Sequence, residues 1–205
     1  MTAAHGDVVA ALFERRIAPV RDLASHAAEV AATCHAMAIR FHRGGKLVVF
    51  GVGAASTDAQ HVAVEFVHPV IVGKRALPAI SLTSDVATVT GVAATQGLAE
   101  IFAHQLRYLA EPADIALGIS TDGNCESVQR GLEAAHDRGL LTVALTGGWD
   151  GGAIAASPAV DHVLVARSQD PCVVKETHVT MYHVLWELVH VFFEQPGVLA
   201  PEVVA

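Results

Sequence analysis

Five short apolar runs, each closing on or near glycine, serine or threonine and each followed by a segment of helical periodicity, leave this chain few folds to choose from. The first run is Lys46-Leu47-Val48-Val49-Phe50-Gly51, apolar throughout after its lysine, as a strand covered on both faces requires. The others are Pro78–Leu82, Asp114–Ile119, Leu141–Leu145 and His162–Val165. Between and after them, apolar residues at three- and four-residue spacing predict helices over Thr57–Val67, Asp85–Ala93, Leu98–Leu109, Cys125–Arg138, Gly151–Ala156 and Val173–Glu194. Strands alternating with helices need right-handed crossovers, and the predicted fold is α/β: a doubly wound, five-stranded parallel sheet flanked by helices. Residues 1–43 add a helical extension that Gly44-Gly45 closes, and the α/β core spans 46–195. No linker or low-complexity stretch interrupts residues 1–205, so one domain is expected.

Composition narrows the function classes. The 13 lysines and arginines against 21 acidic residues give a formal charge of −8, which argues against nucleic-acid binding driven by backbone phosphates. Apolar types make up 52% of the 205 residues, yet no run approaches the ~18–20 apolar residues of a spanning helix, so no membrane partner is expected. Three cysteines without a CxxC pair, and a start lacking the basic-then-apolar signal pattern, point to a reducing, cytoplasmic setting. Alanine and valine dominate the apolar set and aromatics are few. That leaves more apolar surface than a monomer hides, so an oligomer is expected, with the first and last helices at its interface.

In a doubly wound sheet, ligands sit beyond the carboxyl ends of the strands. Three loops fall there. They carry Ser56 after the first run, Thr83, Ser84 and Asp85 after the second, and Ser120, Thr121 and Asn124 after the third. Any one of them alone reads as a helix cap, but three at one sheet edge form a candidate binding site for a small polar molecule. The first loop, Gly51-Val52-Gly53-Ala54-Ala55, is not GxGxxG, so no nucleotide cofactor is expected.

Two helical stripes carry groups able to do chemistry. Asp58, His61, Glu65 and His68 share one face of the helix that leaves the first loop. His61 and Glu65 there suit either a metal site or a proton-transfer pair. On the final helix, Glu176, Thr180, His183, Glu187 and His190 form a polar seam among apolar neighbours, and Lys175, the only lysine or arginine after Arg167, is a candidate to meet the ligand.

Jointly, Asp58-Ala59-Gln60-His61 through Glu65, Leu77-Pro78-Ala79-Ile80-Ser81-Leu82-Thr83, Leu117-Gly118-Ile119-Ser120-Thr121 with Gly123-Asn124, Ala144-Leu145-Thr146-Gly147, and Glu176-Thr177-His178 to His183 resemble the sugar isomerase (SIS) domain family of the phosphoheptose isomerase type. The resemblance implies a homotetramer of doubly wound subunits with sites between subunits. It implies conversion of sedoheptulose 7-phosphate through an enediol, with zinc as the metal. Carried over, Glu65 would be the general base and His183 its partner acid. His61, Glu65 and His183 would ligate the metal, and Ser120, Thr121 and Asn124 would belong to the phosphate loop. Departures accompany it. Asp122 and Cys125 stand where the family has serines, Ala94-Thr95 where it has asparagine-aspartate, and Lys175 where it has glutamine. A carboxylate at Asp122 would repel a phosphate dianion, so weak affinity for sugar phosphates is expected. Two alternatives to an isomerase follow: a non-catalytic module that binds a sugar phosphate or a protein partner, and a metal-dependent enzyme acting on a non-phosphorylated ligand.

Overall fold

A computed structural model describes residues 3–195 and 197–199. Two helices, α1 (Ala3–Ser25) and α2 (Ala27–His42), precede β1 (Leu47–Gly51). There follow α3 (Ala54–Val67), β2 (Ala79–Ser81), α4 (Val86–Gln96) and α5 (Ile101–Leu109). The second half runs β3 (Ile115–Ser120), α6 (Glu126–Asp137), β4 (Leu141–Gly148), α7 (Gly152–Ala155), β5 (His162–Arg167) and α8 (Pro171–Glu194). All five strands pair in parallel in the order β2-β1-β3-β4-β5. The chain starts near the middle of the sheet, winds outward to β2, then crosses back to β3 and outward to β5.

Burial follows the pleat. Leu47 and Val49 of β1, with Ile115, Leu117 and Ile119 of β3, pack under α2, α3 and α8 through Met37, Phe41, Phe66, Tyr182 and Leu185. The alternate residues Val48, Phe50, Ala116 and Ala144 face α5 and α6 through Phe102, Leu106, Val128 and Leu132. Gly131 marks how tightly the second layer closes, since a Cβ there would lie 2.7 Å from the Phe50 ring.

The expected strands and helices are all present, with shifted ends. Residues Pro78–Leu82 read as a five-residue strand, but only three pair with β1, because β2 is the sheet edge and has a neighbour on one side alone. The stretch from Leu98 begins as a 3₁₀ turn before α5, and α4 runs on to Gln96 until Gly97, at φ +96°, ends it. The N-terminal helices are no loose appendage. Arg16 pairs with Glu176 of α8 at 2.9 Å, and Asp22 with Arg167 of β5 at 2.7 Å.

Candidate active site

α3 and α8 pack side by side on one face of the sheet, and their facing turns build the first of two polar clusters. His61 and Glu65 are one turn apart on α3, with Nε2 to Oε1 at 3.2 Å. His183 comes from α8, its ring centroid 5.2 Å from that of His61 in an edge-on arrangement. One nitrogen of each histidine and one oxygen of Glu65 lie within 4.8 Å of one another. Zinc ligands at about 2 Å in a tetrahedron sit about 3.3 Å apart, so the donor set, two imidazoles and a carboxylate, fits such an ion with small side-chain adjustments. Glu65 is largely covered while His61 is open on one side. Beneath them Tyr182, buried, places its hydroxyl 2.8 Å from His61 Nδ1. Burial, then the nearby carboxylates of Asp58 and Glu65, hold the Tyr182 proton on well above the ordinary phenol range.

The rest of the two stripes separates. Asp58 is buried and bonds Lys175 Nζ at 2.6 Å, and the same ammonium donates to Thr57 Oγ1 at 3.1 Å and to the Ala54 carbonyl at 3.0 Å. Lys175, a candidate to meet the ligand, is held by α3 in this structure, because a buried carboxylate needs a counter-charge. On α8, Glu176 turns to Arg16, and His190 is buried against the carbonyls of Trp186 and Arg75. The seam read along that helix is therefore three separate contacts. His178, buried one turn before Tyr182, donates to the Thr146 carbonyl at 3.1 Å and ties α8 to the end of β4. Burial pushes its pKa down, so the ring is neutral at pH 7.

The second cluster is a crevice of about 790 Å³ beyond the carboxyl ends of β3, β4 and β5. Ser120, Thr121 and Asn124 line it, as the loop reading expects, and so do Asp122, Trp149 and Gln169. The loop is folded on itself. Asp122 Oδ1 accepts from the Asn124 backbone at 3.0 Å and from Ser120 Oγ at 3.3 Å, and Ser120 Oγ accepts from the Gly123 backbone at 3.1 Å. A carboxylate already holds donors that would otherwise face an anion. Gly123, at φ +71°, allows the turn, and a Cβ there would meet the Gly151 carbonyl at 1.8 Å.

Of the remaining loop residues, Ser56 and Thr83 bond backbone carbonyls and Asp85 caps a helix. Ser56 Oγ donates to the Gly53 carbonyl at 2.7 Å, and Thr83 Oγ1 to the Ser56 carbonyl at 3.3 Å. Asp85 starts α4 by accepting from Thr88 N at 3.0 Å and Thr88 Oγ1 at 2.6 Å, bonds that lower its pKa. Ser84 is exposed beside it.

The SIS domain model matches residues 13–147. A phosphoheptose isomerase of Solidesulfovibrio magneticus is 39% identical over 189 residues, 92% of this chain and 91% of that protein. This chain belongs to the phosphoheptose isomerase family of SIS-domain proteins. Its fold agrees with solved members. A phosphoheptose isomerase structure from Francisella tularensis superposes with a TM-score of 0.83 at 32% identity, covering 93% of this chain and all 100% of that one. The one from Neisseria gonorrhoeae gives 0.80 at 29%, covering 90% and 97%.

Sequence reading misses two features of this family member's site. Tyr182 lies among the apolar residues of α8, and only the packing of α8 on α3 reveals its hydroxyl contact. Trp149 and Gln169 were within reach, since they follow the carboxyl ends of β4 and β5, where ligands gather.

Proposed function

We propose that this protein is an aldose–ketose isomerase of a sugar phosphate, of the sedoheptulose 7-phosphate type, working through an enediol. The observation that carries the reading is the convergence of Glu65, His61 and His183 from two helices. Isomerisation removes a proton beside a carbonyl and returns it one carbon away, which needs a carboxylate and a partner acid on a shared substrate. Glu65 takes the proton, and its carboxylate stands largely covered beside the His61 ring. His183, exposed at the opening, protonates the carbonyl oxygen as the enediol forms and takes the proton from the neighbouring enediol hydroxyl as the new carbonyl forms. His61, Glu65 and His183 would hold zinc, which when bound stabilises negative charge on the enediolate oxygens.

The active assembly in this reading is a cytoplasmic homotetramer with sites near subunit interfaces. The large apolar side chains of Val8, Leu12, Phe13 and Ile17, all exposed on α1, support an oligomer. A second reading, a sugar-phosphate-binding module without turnover, draws on Asp122, whose carboxylate already engages the loop donors.

One experiment separates them. Purified protein is assayed with sedoheptulose 7-phosphate in D₂O, alongside elemental analysis and light scattering. The expected result is turnover with deuterium bound to carbon in the product, about one zinc per chain, and a tetramer. Binding without turnover or deuterium incorporation would replace the isomerase by the module.

A further inference from the structure

The two nitrogens of His61 face partners of opposite kinds, and their roles follow from those partners. Nε2 looks toward Glu65, at 3.2 Å from Oε1, on the side that is open. An ionised carboxylate only accepts, so with nothing between them Nε2 carries the hydrogen and Nδ1 is a bare acceptor. Nδ1 meets the Tyr182 hydroxyl at 2.8 Å, and that hydroxyl then donates. A cation at Nε2 reverses every role. Nε2 gives up its hydrogen, Nδ1 gains one, and the Tyr182 oxygen must accept. The imidazole is neutral and the phenol intact in both arrangements, so no net charge is added beneath the site. A hydroxyl can serve in both arrangements; a carbonyl or carboxylate in its place would suit only the second, and a phenyl ring neither.

The surroundings hold this hydroxyl still. Tyr182 is 1% exposed in the core under α3, and its ring lies edge-on to those of both His61 and His183, with centroids 5.2 and 5.0 Å away. The three rings fix one another's planes. His183 itself follows Tyr182 directly in the chain, so the residue that orients one candidate ligand is covalently joined to the other.

We infer that Tyr182 is the positioning residue of the site, a two-way hydrogen-bond partner that lets His61 serve Glu65 in one tautomer and a divalent cation in the other. The inference rests on the proposed use of His61, but its first readout needs neither metal nor substrate.

Nitrogen-15 NMR of the histidine rings tests it. In the metal-free wild type, His61 is expected as the Nε2–H tautomer, and on zinc addition as Nδ1–H. An Nδ1–H ring in the metal-free protein overturns the inference, whatever any variant does. Zinc affinity by chelator competition is expected to fall about 10- to 100-fold in Tyr182→Phe, as when groups behind a metal ligand are removed. Leu185→Val, a buried change on the same helix, serves as the control for stability alone: it should lower Tm yet keep both the His61 tautomer and the affinity. An affinity in Tyr182→Phe within twofold of wild type, with the same tautomers, overturns the positioning role. A wild type that binds no zinc removes the metal from the proposed function and ends the two-tautomer inference, but leaves the isomerase reading to the deuterium assay.

Discussion

The α3–α8 cluster and the β3 crevice loop are built from similar polar side chains, and they have spent them differently. At the cluster, His61, Glu65 and His183 contact one another and Tyr182 and keep an open side, so their reactive atoms are available. At the loop, the Asp122 carboxylate takes up the hydroxyl of Ser120 and the Asn124 amide. One region leaves a carboxylate and two imidazoles facing one another; the other already holds an anion on its own donors. The two clusters sit on different element pairs and are held by different contacts, so a change in one need not disturb the other.

The contrast breaks most visibly at Glu65. Glu65→Gln keeps the shape and removes the proposed base, so turnover should fall about 10²- to 10⁴-fold with little change in Tm. Steady-state kinetics and a melt check this, and activity within tenfold of wild type would dissolve the cluster's catalytic role. On the loop side, Gly123→Ala forces a Cβ against the Gly151 carbonyl at a left-handed φ. A loss of about 2–5 kcal/mol in urea unfolding is expected from overlap and strain together. Asp122→Ser frees the donors and removes the repelling charge. Calorimetry should show sedoheptulose 7-phosphate binding tighter by about tenfold or more, near 1.4 kcal/mol, while the zinc affinity of the other cluster stays put. An unchanged affinity would mean the loop does not meet the phosphate.

A smaller effect belongs to the strut between the regions. Burial lowers the His178 pKa below its ordinary 6.5, so the unfolded chain takes up a proton that the folded ring refuses. Stability from this group is full above about pH 6.5 and is lost as pH falls from there toward the folded value. His178→Gln, which keeps a donor for the Thr146 carbonyl, should flatten the pH dependence of Tm between pH 7.5 and 5.5, whereas an unchanged slope would assign the acid sensitivity to other groups.

Much of this was written in the sequence. The period switch from β1 to α3 and the apolar runs reached the sheet, its winding and the edge where ligands gather, because burial on both faces demands those runs. Spacing on α3 was enough to pair His61 with Glu65, since residues one turn apart must be neighbours on a helix. What spacing could not decide was which way each stripe turns once a second helix arrives. Asp58 and Glu65 share a stripe, yet the arrival of α8 gives one to Lys175 and leaves the other with the histidines. Asp122 likewise reads as a charge facing a ligand, and only the folded loop shows that this exposed carboxylate also takes up donors of its own turn. Tyr182 shows the same limit from the other side. Its position in an apolar run is a local fact, but its hydroxyl gains a role only from His61, 121 residues earlier, and contacts at that separation are set by packing rather than by period.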